Sequence, residues 1–255
     1  MNDSKAVKTI CILRLSALGD ATHVVPLIRT LQKNLPDVQI TWILGVAEAK
    51  LMQGLENVEL IAFNKKSGLS GIKNLASQLS GRRFDVLLQM QLALRANLIS
   101  NIISAKRRIG YDLQRSKEGH SLFIKERIAH KHHHVLDVFG LFAEPLGFSQ
   151  TEVVWNLPVS EQDHQWAKEQ WPEGKPCLLI SPCSSHTLRN WSAERYAAVA
   201  KHAQSKGWQV VICGGRSALE REMGNAILNQ METPAIDLIG QDTLKQLLAL
   251  LARAD

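Results

Sequence analysis

The most constraining feature of this sequence is an apolar segment near its start, which gives way to a loop of small residues and then to helical spacing. The segment, residues 10–15, contains a single arginine and is typical of a strand buried in a parallel sheet. Small residues follow at 16–20, and apolar residues then recur at helical intervals over 22–31. We therefore predict a strand, a tight loop and a helix, in which the loop lies where α/β sheets bind ligands.

The same alternation of strand and helix continues along the chain. Further strands are predicted at residues 38–44, 58–63, 84–89, 108–111, 177–181, 209–213 and 236–239. Further helices are predicted at residues 47–51, 69–79, 92–103, 135–146, 162–170, 192–206, 218–231 and 243–251. Because strands and helices alternate, we predict right-handed crossovers, parallel sheets and an α/β fold.

A change in composition between Trp155 and Pro176 marks a domain boundary. This stretch contains three prolines and many polar residues, and a new apolar strand pattern begins directly after it. Exposed, proline-containing and polar segments are typical of linkers between domains. We therefore predict an N-terminal domain over residues 1–157 and a C-terminal domain over residues 158–255.

The excess of positive over negative charge lies in the predicted N-terminal domain. The chain has a net charge of +6, and residues 1–157 hold 20 lysines and arginines against 13 acidic residues. Residues 106–134 are especially basic and contain five histidines. Such a field attracts a polyanion, for example a nucleic acid, an anionic membrane surface or a phosphorylated lipid. A solvated basic surface without a specific partner is the other interpretation.

Cysteine spacing and hydropathy indicate the compartment. Cys11, Cys177, Cys183 and Cys213 show no C-x-x-C spacing, and three of them lie in or beside apolar strand patterns, so we expect buried free thiols. No apolar run reaches the roughly 18 residues that a membrane span needs. The first eight residues lead directly into the first strand and contain no signal-peptide pattern. We expect a cytoplasmic protein.

The loop after the first strand contains one acidic residue, Asp20. The loop lacks both the G-x-G-x-x-G dinucleotide pattern and the P-loop pattern, since only Gly19 is present. A carboxylate at the start of a helix is stabilised by the helix dipole and can accept a proton from a hydroxyl group. Asp20 is therefore either a general base or simply a helix cap.

A second polar loop follows the first strand of the C-terminal half. It contains Ser184, Ser185, His186, Thr187 and Arg189, and it precedes a predicted helix. Hydroxyl groups, loop N–H groups and an arginine can together hold a diphosphate. A polar turn with an exposed arginine is the alternative.

These two loops carry a family resemblance that spans nearly the whole chain. R-L-S-A-L-G-D at residues 14–20, followed by a helix containing Pro26, resembles the amino-terminal signature of glycosyltransferase family 9, the lipopolysaccharide heptosyltransferases. S-P-C-S-S-H-T-L-R-N-W-S-A-E-R-Y at residues 181–196 resembles the motif of that family's C-terminal domain. The resemblance implies two Rossmann-like domains of GT-B type, with donor and acceptor meeting in the cleft between them. It also implies a further strand and a phosphate-contacting loop after residue 255, so the second domain is expected to be incomplete.

The resemblance also implies roles for individual residues. Asp20 would be the catalytic base of an inverting transfer of heptose from ADP-heptose to the Kdo/heptose inner core of lipopolysaccharide, with no cofactor and no metal. The donor would be bound by Ser184, Ser185, Thr187, Arg189, Glu220 and Asp242, although Glu222 could replace Glu220 at the ribose. The anionic acceptor would be bound by Arg14, Arg115 in a mobile basic loop, and His120, with Arg82, Arg83 and Arg95 as further candidates. The protein could then lie on the cytoplasmic face of the inner membrane.

Three other functions remain open from the sequence. A glycosyltransferase that uses another nucleotide sugar would have the same loops. A Rossmann oxidoreductase is opposed by the missing glycine pattern. A basic nucleic-acid-binding protein is opposed by the low aromatic content, 5%, because single-stranded nucleic acids are bound by stacking on aromatic side chains.

Overall fold

The computed structural model describes residues 7–131, 134–149, 152–184 and 186–254. The chain divides into two compact units, Met1–Pro158 and Val159–Asp255. We call them unit 1 and unit 2. The division falls one residue after the boundary expected from composition.

Unit 1 contains a six-stranded parallel sheet in the order β3-β2-β1-β4-β5-β6. Its strands are β1 Thr9–Leu13, β2 Gln39–Gly45, β3 Val58–Phe63, β4 Phe84–Gln89, β5 Ala105–Gly110 and β6 Glu126–Arg127. Its α-helices are α1 Leu18–Asn34, α2 Val46–Met52, α3 Gly68–Gln78, α4 Leu94–Asn101 and α5 Val135–Gly140. Short 3-10 helices cover His120–Leu122 and Leu141–Leu146.

The first strand lies at the centre of this sheet because it is apolar on both faces. Ile10, Ile12 and Leu13 have no exposed surface, as expected of a strand covered by helices on both sides. Asp85 fixes the start of the strand, since its carboxylate accepts hydrogen bonds from the Lys8 and Thr9 N–H groups at 2.9 and 3.0 Å. The ammonium group of Lys106, 2.7 Å away, does most to lower the pKa of Asp85, to about 2. Asp85 therefore has a structural role at the start of β1.

Unit 2 contains a three-stranded parallel sheet in the order β7-β8-β9. Its strands are β7 Cys177–Ile180, β8 Gln209–Ile212 and β9 Ile236–Asp237. Its α-helices are α6 Glu161–Lys168, α7 Ala193–Ser205, α8 Ala218–Leu228 and α9 Leu244–Leu251, and a 3-10 turn covers Thr187–Arg189. Ser160, Ser217 and Thr243 begin three of the helices by accepting a backbone N–H with the side-chain oxygen.

Most predicted elements are confirmed, and the differences lie at element ends. The predicted helix 135–146 is wrong as a single helix, because α5 ends at Gly140 and continues as the 3-10 helix Leu141–Leu146, which contains Pro145. The strand predicted at 108–111 begins earlier, at Ala105, and pairs with β4. The prediction of buried cysteines outside disulfides is confirmed for Cys11, Cys177 and Cys213, whereas Cys183, also outside a disulfide, is only partly buried. No helix in the described part of the chain is long and apolar enough to cross a bilayer.

Candidate active site

Asp20 lies in the first turn of α1, directly after the central strand of unit 1. Its carboxylate forms a short ion pair with the Arg14 guanidinium and accepts the Ala17 N–H at 3.3 Å. The Asp20 side chain is 36% exposed, whereas that of Arg14 is 12% exposed. Asp20 therefore caps its helix and also presents a carboxylate to solvent, so the two interpretations of this residue are compatible.

Arg14 is held on three sides. Its Nη1 donates to the Met90 carbonyl at 2.6 Å, and its guanidinium carbon lies 5.2 Å from the centre of the Phe139 ring. Together with the Asp20 ion pair, these contacts fix the guanidinium, because an arginine fork held by several acceptors has little rotational freedom. Arg14 thus holds Asp20 in place, and its predicted contact with the acceptor stays a prediction.

The loop between β1 and α1 is also tied to the strand beside it. Gln91 follows β4, and its side-chain oxygen accepts the N–H groups of Leu15 and Ser16 at 3.0 and 3.2 Å. These bonds satisfy two backbone donors where the ladder ends. The sequence analysis did not identify Gln91, although a polar residue just after a buried strand is a usable signal.

The prediction that His120 contacts the acceptor is wrong, because His120 has no exposed surface. Its Nε2 accepts the Tyr111 N–H at 3.1 Å, and its Nδ1 lies 3.0 Å from the side-chain oxygen of Asn97. Gln89 donates to that same oxygen at 2.5 Å. Burial, with a smaller contribution from the nearby Arg127, lowers the pKa of His120 to about 4, so the ring is neutral and structural.

Arg115 is held within unit 1 rather than extending freely from the basic loop. Its Nη1 pairs with Asp112 at 2.5 Å, and its other terminal nitrogen donates to the Lys131 carbonyl. Asp112 also accepts the Gln114 and Arg115 N–H groups at 3.0 and 3.1 Å. The Arg115 side chain remains 21% exposed, so its predicted role toward an acceptor stays a prediction.

Arg82 and Arg83 lie at the opposite edge of the sheet from Asp20. They precede β4 and line a cavity of about 780 Å³ at the amino ends of the strands. Arg82 is paired there with Glu59 at 2.5 Å and donates to Thr41 at 2.9 Å. Parallel strands place all their amino ends together, so neither arginine can share a ligand with Asp20. The prediction that Arg82 and Arg83 contact the acceptor is therefore wrong.

The second predicted loop connects β7 to α7 in unit 2. The Ser184 N–H donates to the Asn190 side chain at 2.7 Å, and the Ser184 hydroxyl donates to the His186 carbonyl at 2.9 Å. Thr187 and Arg189 lie in the 3-10 turn that follows, and both are exposed. Within the described residues, Arg189 has no side-chain partner. Ser185 lies outside the described residues.

Glu220 folds back onto the loop after β8. Its carboxylate accepts the Gly215 N–H at 2.7 Å and the Ser217 hydroxyl at 2.6 Å. Burial raises the pKa of this carboxyl, but the bonds from Ser217 and Gly215 outweigh it and hold the pKa below its usual range. A Cβ atom at Gly215 would lie 2.9 Å from this carboxylate, so a larger residue there would displace the Glu220 side chain.

Asp242 follows β9, so the structure places it at the same sheet edge as Glu220. Burial raises the pKa of Asp242, while the positive charge of Arg216 opposes that effect. Arg216 also donates to the Gly240 carbonyl at 3.1 Å. The sequence analysis missed Arg216, although it directly follows the glycine pair at the end of β8. The predicted donor residues that are described thus share the carboxyl edge of one sheet.

No group of three histidine, cysteine or acidic side chains is arranged to hold a metal ion within residues 7–131, 134–149, 152–184 and 186–254. The donor loops instead carry Arg189 and Arg216. The prediction that the reaction needs no metal stays a prediction.

Two features of the site define a class of enzyme. One parallel α/β unit carries an acid at the carboxyl edge of its sheet, and the other carries a basic, hydroxyl-rich loop at the carboxyl edge of its own sheet. They are the features of a nucleotide-sugar glycosyltransferase with two Rossmann-like domains. The chain belongs to glycosyltransferase family 9 (heptosyltransferase), whose sequence pattern matches residues 72–255.

Individual relatives agree with this assignment. The chain is 38% identical over 253 residues to the lipopolysaccharide core heptosyltransferase OpsX of Haemophilus influenzae. This alignment covers 99% of this chain and 73% of the relative. The crystal structure of a family 9 glycosyl transferase from Veillonella parvula superposes with a TM-score of 0.85 at 24% identity, covering 97% of this chain and 74% of that one. E. coli heptosyltransferase WaaC with ADP superposes with a TM-score of 0.78 at 18% identity, covering 96% and 79%.

Proposed function

We propose that this chain transfers a heptose from ADP-heptose to the Kdo/heptose inner core of lipopolysaccharide, with inversion at the anomeric carbon and with Asp20 as the base. Family membership and the 38% identity to a lipopolysaccharide core heptosyltransferase support the reaction. The observation that carries the role of Asp20 is its geometry: a carboxylate at the carboxyl edge of the central strand, fixed by Arg14 and still partly exposed.

The bond changes follow from one base and one leaving group. An acceptor hydroxyl oxygen attacks the anomeric carbon, and its proton passes to the Asp20 carboxylate. The bond between the anomeric carbon and the β-phosphate oxygen breaks, and ADP leaves with the bonding electrons. Because one direct displacement inverts the configuration, a single carboxylate suffices and no covalent enzyme intermediate forms.

Charge on the departing ADP has to be neutralised as it develops. We assign this role to Arg189, whose guanidinium is exposed on a loop that also offers the hydroxyls of Ser184 and Thr187. Glu220 would accept hydrogen bonds from the ribose, since its carboxylate is already fixed by Gly215 and Ser217. With this cationic site, transfer proceeds without a divalent metal.

We further propose that unit 1 acts at an anionic membrane surface. Large apolar side chains are exposed on the segments that follow β3, β4 and β5, interspersed with exposed lysines. The apolar residues are Leu69, Leu94, Leu98, Leu113 and Leu122, and the lysines include Lys66, Lys117 and Lys125. Such a combination favours contact with anionic lipids, and sedimentation with phosphatidylglycerol vesicles should weaken as salt is added.

The reaction is tested by measuring ADP release from ADP-heptose in the presence of deacylated inner-core oligosaccharide, with and without EDTA. We expect activity in both conditions, and Asp20→Asn should lower kcat about 1000-fold while ADP affinity measured by calorimetry is unchanged. Glu232→Gln, at an exposed position in the connection between α8 and β9, is the matched acidic control. Full activity of Asp20→Asn would remove Asp20 from the mechanism, and UDP binding more tightly than ADP would exclude the ADP-sugar donor.

A further inference from the structure

Three aromatic rings gather around the start of α1, close in the chain to Asp20. His23 stands three residues after Asp20, and its ring centre lies 5.7 Å from that of His134 and 6.4 Å from that of Trp155. Residues three apart share one face of a helix, so His23 and Asp20 are neighbours on α1. None of these three side chains has a role in the mechanism described so far.

The rings are held in place by bonds to the helix ends. The Trp155 indole N–H donates to the Thr22 carbonyl at 3.1 Å, and the His134 Nδ1 accepts the Leu136 N–H at 3.3 Å at the start of α5. Helix α5 packs against α1 and also supplies Phe139, the ring beneath Arg14. The aromatic cluster and the Arg14–Asp20 pair are therefore mounted on the same two helices.

His23 has a polar atom that the described residues leave unsatisfied. Its Nδ1 is buried and has no hydrogen-bond partner among them. A buried N–H without an acceptor is costlier than a buried lone pair, so we place the ring hydrogen on Nε2. The ring is only partly buried, and Nε2 is then a donor available to an oxygen of a ligand.

The exposed parts of this cluster fit a sugar. Trp155 is 37% exposed and His134 is exposed, so their ring surfaces are accessible beside the partly exposed ring of His23. A pyranose has the complementary form, with an apolar face of C–H groups and an edge of hydroxyl groups, and amphipathic aromatic rings pack well against such a surface. Asp20 takes a proton from the acceptor hydroxyl in the proposed reaction, so a sugar beside Asp20 belongs to the acceptor and not to the nucleotide.

We propose that Trp155, His134 and His23 form a subsite for a sugar ring of the acceptor, in which the rings stack on the sugar and the His23 Nε2–H donates to one of its oxygens. This inference rests on the proposed function, because that function supplies a carbohydrate acceptor at Asp20. The subsite sets acceptor affinity and leaves donor affinity unchanged.

Two variants of His23 separate ligand binding from packing. His23→Phe keeps a ring but removes the donor, and it should raise the acceptor KM about tenfold, the value of one lost hydrogen bond, without changing the KM for ADP-heptose. His23→Gln places an amide N–H near the position of Nε2 and should recover part of the affinity. Trp155→Ala should also raise the acceptor KM, whereas Trp208→Ala, with a similarly exposed tryptophan in unit 2, should not.

A binding measurement independent of turnover completes the test. In protein labelled with 5-fluorotryptophan, the Trp155 ¹⁹F resonance, assigned by its loss in Trp155→Phe, should shift when deacylated inner-core oligosaccharide is added without donor. A shift without turnover would support the subsite and overturn the proposed reaction. Turnover with no shift, and with acceptor KM unchanged in His23→Phe, would overturn the subsite and leave the reaction standing.

Discussion

The carboxyl edges of the two sheets differ in how their charged groups are paired. In unit 1, Asp20, Arg14 and Arg115 have partners within the unit, and His120 is buried in a hydrogen-bonded network. In unit 2, the loop after β7 exposes Thr187 and Arg189, and no described side chain pairs with the arginine. The charged groups of the first edge are held in place before any ligand arrives, whereas the second edge leaves Arg189 without a described side-chain partner.

This difference matches what each edge has to do. A base acts through its position relative to one hydroxyl, so it benefits from partners that fix it in advance. A diphosphate brings charges of its own, so an arginine that binds it is best left without an internal acid. An internal partner for Arg189 would have to be displaced first, at a cost in affinity.

The comparison can be tested first by removing the internal partner of Asp20. Arg14→Met keeps much of the side-chain volume but releases the carboxylate, so we expect kcat to fall about 100-fold through lost positioning, with ADP affinity unchanged. Initial rates and calorimetry measure the two quantities, and Arg14→Lys should recover part of kcat. Arg83→Met, at the opposite sheet edge, is the control. An equal loss of ADP affinity in Arg14→Met would mean that Arg14 supports the fold generally.

The second test removes the unpaired arginine of unit 2. Arg189→Ala should weaken ADP binding about 10- to 100-fold, because a charge-assisted contact to the diphosphate is lost, while the melting temperature stays the same. Titration calorimetry with ADP and with adenosine separates the phosphate contribution, since adenosine should bind both proteins alike. Lys201→Ala, an exposed cation on α7, is the matched control. Equal ADP affinity in Arg189→Ala would assign the diphosphate to other groups.

Most strands and helices could be predicted from the sequence because buried strands are recognisable as local runs of apolar residues. Strands β3 and β4 occupy the predicted residues, 58–63 and 84–89, since each is a short, mainly apolar segment that directly follows a polar residue. The predicted helix over 135–146 was wrong because a local apolar pattern does not distinguish an α-helix from an α-helix followed by a 3-10 helix. Pro145 in that segment was the available signal.

The site was predictable where it depends on loop position and not where it depends on distant contacts. Asp20 follows the central strand, so its place at the sheet edge could be inferred from the sequence. His120 could not be assigned correctly, because its burial depends on Asn97, Gln89 and Tyr111, which belong to other segments. Charge balance located a basic region but not the sheet edge on which each cation lies, and that explains the misplaced Arg82.

The buried network of His120 provides the last and smallest test of the internally bonded carboxyl edge of unit 1. Its pKa is about 4 in the folded protein and near 6.5 when unfolded, so the unfolded chain binds a proton first as the pH falls. Protonation would also set an N–H on Nε2 against the Tyr111 N–H that it now accepts. Unit 1 should therefore keep this stability above pH 6.5 and lose about 1 to 2 kcal/mol of it by pH 5.

Hydrogen exchange of the Leu88 and Ile109 amides, corrected for intrinsic rates, measures this loss of stability within β4 and β5. His120→Gln should flatten this pH dependence, whereas His202→Gln, at an exposed position in unit 2, should not. The same slope in wild type and His120→Gln would mean that other groups cause the pH dependence, and that a neutral His120 does not stabilise this edge of unit 1.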